Sequence, residues 1–255
     1  MSGNDAPIAY RAEQAVATIT LDDPKRRNAL STGLIAELRK ALARAVADPA
    51  IRVIVIDHAG PVFCAGGDLK ESAAAKRAED LPAVHLAEAL AEICESPKPV
   101  VAVVRGDARG GGLGLIAAAD VVVCWDEAQL AFSEVRLGVV PAVIGPVVAR
   151  KLSPGRMREL FLTGYQFTGA HANEWGLVTF ALDADDVDEV VAETVGELLA
   201  GGPAAQAGIK VLTATPDLRD RLQDEAARTA AFFLSSEGQE GVRSFIEKRH
   251  PSWVG

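Results

Sequence analysis

The sequence predicts an α/β fold with a helical C-terminal part, and three observations carry that reading. Residues 51–56, 100–104 and 121–125 are continuous apolar runs rich in β-branched side chains, the pattern of strands buried on both faces. Helical periodicities and glycine-containing loops separate these runs, as in chains where strands and helices alternate. Beyond Pro141 the pattern turns mostly helical. The chain divides on this reading into a core over residues 1–195 and a helical region over residues 196–255.

Each element follows from its own residues. Residues 8–21 hold two β-rich halves around a polar middle and read as a hairpin, closed by a turn at Asp22-Asp23-Pro24. Leu34, Leu38, Leu42 and Val46 recur at helical spacing and predict an amphipathic helix ending near Asp48-Pro49. After the strand at 51–56 a loop is expected over residues 57–67. Asp68-Leu69-Lys70-Glu71 then has capping-box spacing and should open a helix. A further helix over residues 84–95 stops at Pro97-Lys98-Pro99. The strand at 100–104 leads into a glycine-dense loop, a short apolar helix from Leu113, and the strand at 121–125; residues 130–132 read as another short strand. The strand–loop–helix unit recurs at residues 51–71 and 100–118.

Composition narrows the possible functions. At 255 residues and 49% hydrophobic, the chain can bury a full core. No stretch approaches the roughly 20 apolar residues of a membrane span, and the longest candidate, residues 113–125, is broken by Asp120. Residues 1–7 lack a basic patch followed by an apolar run, so no signal peptide is expected and the protein reads as soluble and cytoplasmic. Cys64, Cys94 and Cys124 are odd in number and far apart, offering neither a disulfide framework nor a C-x-x-C pair. The four histidines are scattered as well, and no metal site is expected. A net charge of -9 argues against a nucleic-acid partner, although a local basic cluster can still hold a small anionic ligand.

Three stretches carry candidate chemistry. Phe63-Cys64-Ala65-Gly66-Gly67-Asp68-Leu69 joins a buried strand to a capped helix, where free N–H groups meet the positive helix end. A plain strand-to-helix turn needs the same small residues. Arg109-Gly110-Gly111-Gly112-Leu113-Gly114 is a second such junction, and two of them can aim two N–H groups at one oxygen. Its partial likeness to a dinucleotide fingerprint fails, because a helix from Leu113 must end before Val121 and is too short for that unit. In Phe132-Ser133-Glu134-Val135-Arg136, Glu134 sits between a short strand and an apolar segment, where desolvation would raise its pKa toward acid–base use. The alternative is a first-turn carboxylate on a helix capped by Ser133.

Taken together these residues resemble the enoyl-CoA hydratase/isomerase (crotonase) family. The resemblance rests on Lys25-Arg26-Arg27-Asn28-Ala29-Leu30, Phe63 to Asp68, Gly110-Gly111-Gly112, Glu134-x-x-Leu137-Gly138-x-x-Pro141 and the stretch from Glu240 to Arg249. Each motif is weak alone, but five in order across nearly the whole chain are specific. The resemblance implies a spiral of ββα units capped by C-terminal helices that serve oligomerisation, in a homotrimer or a dimer of trimers. It implies an oxyanion hole from the N–H groups of Ala65 and Gly111, with Glu134 as the catalytic carboxylate. It also implies an acyl-CoA substrate, with Lys25, Arg26, Arg27, Ala65, Asp68 and Leu69 along the coenzyme A path and Phe245 and Lys248 reaching it from the C-terminal helix. Coenzyme A then arrives as part of the substrate, with no separate cofactor.

One position departs from the two-glutamate hydratases of the family, which carry a second carboxylate where this chain has Gly114. The stretches around Gly114, Glu134 and Pro141 are most similar to methylglutaconyl-CoA hydratase-like members, which lack it too. Glycine there is expected to open volume and admit a branched or dicarboxylic acyl group; Arg109 or Arg136 is either its counter-ion or a solvated surface arginine. The expected reaction is addition of water to an α,β-unsaturated acyl-CoA, or its removal, with a second group such as an ordered water assisting proton delivery. A single-glutamate enoyl-CoA isomerase and a non-catalytic acyl-CoA binding protein are the alternatives.

Overall fold

The computed structural model describes residues 6–254, so the signal-peptide expectation for residues 1–7 lies, at positions 1–5, outside the described residues. β1 (Ile8–Glu13) and β2 (Val16–Leu21) form the expected antiparallel hairpin, with Ile8 opposite Leu21. Its turn is made by Gln14 and Ala15 at φ of 48° and 65°, left-handed values that a Cβ disfavours. After a 3-10 turn at Pro24–Arg26, α1 (Thr32–Ala47) opens on Ser31, whose hydroxyl accepts from the N–H of Leu34. β3 (Val53–His58), β4 (Val62–Cys64), α2 (Leu69–Ala74) and α3 (Pro82–Glu95) follow. Next come β5 (Val100–Val104), β6 (Asp107–Arg109) and α4 (Gly111–Ala118), then β7 (Val121–Trp125) and β8 (Gln129–Ala131).

The rest of the chain is helical with two interruptions. α5 (Gly145–Val148) and α6 (Pro154–Thr163) precede β9 (Phe167–Thr168), and α7 (Gly169–Glu174) precedes β10 (Phe180–Leu182). α8 (Val187–Ala200), α9 (Pro203–Leu212), α10 (Leu218–Leu234) and α11 (Ser236–Ile246) close it. The expected division after residue 195 falls inside α8.

Two sheets organise these elements. One has the order β1-β2-β3-β5-β7-β10, the other β4-β6-β8-β9. Three times a strand of the first sheet hands the chain to a short strand of the second, at β3–β4, β5–β6 and β7–β8. The equivalent strands then pair in parallel. This is the repeated ββα unit, and the fold is the expected spiral. The sequence shows only half of the first two units. β4 and β6 lie inside stretches read as loops, because three residues such as Asp107-Ala108-Arg109 are too few to show a period of two.

The continuous apolar strands have a direct cause. Alternate side chains of a strand point to opposite faces. Val53, Val55, Val101, Val103 and Val123 pack with Val187 and its neighbours on α8. Ile54, Ile56, Ala102, Val104 and Val122 face the larger core with α1, α3 and α4. The large sheet is therefore covered on both sides, and α8 belongs to the core. Among the described residues no helix is long and apolar enough to cross a membrane.

Candidate active site

The loop between β4 and α2 spends nearly all its donors on the fold. The N–H of Ala65 donates to the Arg27 carbonyl at 3.0 Å and that of Asp68 to the Leu30 carbonyl at 3.1 Å. The Gly66 N–H lies 3.4 Å from Cys64 Sγ. Among the described residues no acceptor takes the N–H of Gly67. Its direction is nevertheless fixed, because the Gly66 carbonyl accepts from Leu30 N–H at 2.8 Å. A planar trans peptide points its N–H opposite its carbonyl, so the Gly67 N–H points away from Leu30. A Cβ added to Gly67 would meet nothing within 4 Å, so open space lies on that side. The free donor of this loop is thus Gly67. Ala65, expected from the sequence, cannot serve because its N–H is already engaged.

Gly110 opens the second loop at φ 48° and ψ -118°, a conformation suited to glycine. Its own N–H donates to the Ala131 carbonyl at 3.1 Å, and its carbonyl accepts from Leu113 N–H at 2.9 Å in the first turn of α4. The same planarity points the Gly111 N–H out of the helix start, and no acceptor among the described residues takes it. α4 therefore begins at Gly111, two residues before the expected Leu113. A Cβ on Gly111 would lie 2.8 Å from Leu30 Cδ1, and one on Gly112 2.7 Å from Cys64 Cβ. The two loops are pressed together, which is why the sequence is glycine-dense here.

Glu134 follows β8 in a 3-10 turn, Glu134–Leu137, and Ser133 makes no capping hydrogen bond. The alternative of a capped helix is not realised. The carboxylate packs against Gly110, where an added Cβ would sit 2.8 Å from its Oε1. Its Oε2 is buried with no hydrogen-bond partner among the described residues. Burial pushes the Glu134 carboxyl up to about 7, with its own backbone N–H pulling weakly the other way.

One cavity of about 420 Å³ joins these groups. Arg27, Ala65, Leu69, Gly111, Glu134 and Phe245 line it, along with Gly67, Arg109 and Arg136. Among the described residues Glu134 is its single carboxylate, and no histidine, cysteine, lysine or tyrosine lines it. The expected Lys25, Arg26, Asp68, Gly114 and Lys248 are not among its walls. Lys25 and Lys248 are exposed on the surface. Arg26 pairs with Asp23 at 2.6 Å. Asp68 caps α2 by accepting from the N–H groups of Lys70 and Glu71 at 3.0 and 3.1 Å. The reciprocal half of the capping box is missing, since Glu71 instead accepts from Thr32 N–H at 3.0 Å.

Gly114 overturns its expectation outright. A Cβ there would lie 2.5 Å from Ile144 Cγ2, so Ile144 fills the volume that glycine was expected to open. Arg109 is likewise tied down, donating to the carbonyls of Ala108 and Gln129. Arg136 is exposed and has no carboxylate partner among the described residues. Sequence reading missed Thr229 and Phe233 of α10, both in the cavity wall. They arrive by tertiary packing from distant segments, and no local motif announces them.

Comparison with known proteins is consistent with this geometry. A family model described as enoyl-CoA hydratase/isomerase matches residues 11–255. The carnitinyl-CoA dehydratase of Proteus mirabilis (strain HI4320) is 32% identical over 251 residues, 94% of this chain and 95% of that protein. The mitochondrial enoyl-CoA hydratase domain-containing protein 3 of Danio rerio is 32% identical over 264 residues, covering 99% and 90%. The crystal structure of an enoyl-CoA hydratase from Mycobacterium avium superimposes with a TM-score of 0.85 at 36% identity, covering 98% of this chain and 100% of that one.

Proposed function

The chain belongs to the enoyl-CoA hydratase/isomerase family, and from that premise we propose that it hydrates an α,β-unsaturated acyl-CoA, or dehydrates the product. The observation that carries this reading is a single desolvated carboxylate, Glu134, in one cavity with two unengaged peptide N–H groups, those of Gly67 and Gly111. The N–H pair holds the thioester oxygen as it gains negative charge, an interaction worth roughly 2.7–4 kcal/mol per donor. Glu134 takes a proton from water while the water oxygen bonds to the β-carbon. The displaced electron pair moves to the thioester oxygen as an enolate. The α-carbon then receives the proton that Glu134 took, since Glu134 is the one carboxylate among the described residues lining the cavity. The product is a 3-hydroxyacyl-CoA, and one carboxylate serves as base and then acid.

Coenzyme A enters as part of the substrate, and the steps use no metal or redox group. Arg27, Leu69 and Phe245 at the cavity wall are proposed to guide it, with exposed Lys25 and Lys248 as phosphate contacts. A branched or dicarboxylic acyl group, such as methylglutaconyl, is the finer proposal. Its support is the unpaired Arg136 at the cavity, and Gly114 lends none. Homotrimers, or dimers of trimers, are proposed because α9 exposes Ile209, Val211 and Leu212 at 57%, 77% and 82%.

The same lone carboxylate favours a second reading, isomerisation of a 3-enoyl-CoA, in which Glu134 moves one proton from C2 to C4. Absorbance of the conjugated enoyl thioester separates the readings. Hydration of crotonyl-CoA or methylglutaconyl-CoA bleaches it, isomerisation of a 3-enoyl-CoA creates it, and a silent binder changes neither. A silent result on all three substrates would overturn both catalytic readings.

A further inference from the structure

Asn28 lies outside the cavity and is completely buried, at 0% exposure. Its backbone is left-handed, φ 52°, directly after Arg27 at 54°. Every strong hydrogen-bonding group of its side chain is used. Nδ2 donates to the carbonyls of Ala59 at 3.0 Å and Val62 at 2.8 Å, and Oδ1 accepts from Asp23 N–H at 2.8 Å. One amide therefore ties residues 23–28 to the turn that feeds β4. The neighbouring peptide groups carry that grip onward. The Arg27 carbonyl takes Ala65 N–H, and Leu30 N–H holds the Gly66 carbonyl, whose peptide plane sets the direction of the Gly67 N–H.

We infer that Asn28 is a positioning residue for the oxyanion hole, acting through Arg27 and Leu30 on the peptide between Gly66 and Gly67. This rests on the proposal that Gly67 and Gly111 hold the thioester oxygen. A donor aimed wrongly by about 1 Å loses on the order of 100-fold in rate, while the coenzyme contacts outside residues 23–28, such as Leu69 and Phe245, stay in place. Asn28 thus acts on kcat far more than on KM.

The test uses the full chain with Asn28→Gly, which keeps the left-handed backbone and deletes the grip, beside Asn28→Ser and Asn28→Asp. Three readouts are taken on every variant that folds: kcat and KM for the best enoyl-CoA, affinity for free coenzyme A, and the red shift of a bound aryl-enoyl-CoA. That shift reports how strongly the thioester carbonyl is polarised. The expected result is kcat lower by about 10- to 100-fold, KM and coenzyme A affinity within about threefold, and a reduced red shift. Asn28→Ser, which keeps one donor, should fall between wild type and Asn28→Gly. A folded variant with wild-type kcat and a full red shift would overturn the inference. So would failure of all three to fold, because the residue would then serve the fold and not the hole. Absence of any red shift in the wild type would instead count against the oxyanion hole itself.

Discussion

The carboxylate of Glu134 packs against Gly110, so closely that an added Cβ would come within 2.8 Å of Oε1. The residue that aims one peptide donor is therefore also the floor beneath the base. Carboxylate and donor are held in one rigid contact, which short-range proton transfer and oxyanion stabilisation both require.

Replacing Glu134 with Gln keeps the shape and removes the base. Turnover is expected to fall roughly 100-fold or more, with coenzyme A affinity unchanged within about twofold. Steady-state kinetics on the best substrate, together with titration by free coenzyme A, check both halves. Near-normal turnover would remove Glu134 from the mechanism.

Glu134 also makes stability depend on pH. Burial raises its carboxyl from the ordinary 4.5 to about 7 in the folded chain, so between these values the folded state binds more protons than the unfolded one. Stability from this group is then full below about pH 4.5, falls as pH rises, and levels off above about pH 7. A tenfold change in proton affinity is about 1.4 kcal/mol, which puts the loss on the order of 3 kcal/mol. Urea unfolding at pH 8 should find Glu134→Gln more stable than wild type, by about 1–3 kcal/mol, with the gap narrowing toward pH 5. An equal difference at both pH values would contradict the burial argument.

Gly114→Glu should neither restore a second catalytic acid nor tune the acyl pocket. Its Cβ meets Ile144, and overpacking of this kind costs about 1–3 kcal/mol before the carboxylate is desolvated. Lower melting temperature and no gain in crotonyl-CoA hydration are expected. The pair Gly114→Ala and Ile144→Ala should be less harmful together than the sum of the two singly, since the second change makes room for the first. Strict additivity in a double-mutant cycle would show that the contact is not tight.

Ala15→Gly should stabilise the protein. The left-handed φ of 65° at Ala15 costs about 1–2 kcal/mol with a Cβ present, and glycine returns part of that as unfolded-state entropy. A net gain of about 0.5–1 kcal/mol is expected, seen by calorimetry as a melting temperature about 1–4 °C higher. A decrease would mean that the turn is not strained.

The long strands of the fold were legible and the three-residue strands β4, β6 and β10 were not, for one physical reason. Residues 100–104 and 121–125 read correctly as strands because both faces are covered, which leaves an apolar run that no polar partner interrupts. β10 escaped because an edge strand of three half-exposed residues carries no such run. Within the site, Glu134 was singled out from its local setting and Gly111 from the family resemblance, and both line the cavity. Gly67 was not legible, because only the bonds between residues 27–30 and 65–68 decide which N–H is left over. Gly114 misled for a related reason. A missing side chain signals space only when no neighbour grows into it, and Ile144 does.

That both unengaged donors belong to the main chain bears on how such a site changes over generations. Every codon except those for proline supplies an N–H at position 67, and the open space beside it tolerates a side chain. Mutation at that position therefore cannot easily erase the N–H group proposed to hold the thioester oxygen. Glu134 has no such protection, because one substitution removes it entirely. On the proposed mechanism, drift can strip or replace the proton-handling residue while the two main-chain donors remain, so a lineage built on this scaffold would change its reaction more readily than its class of substrate.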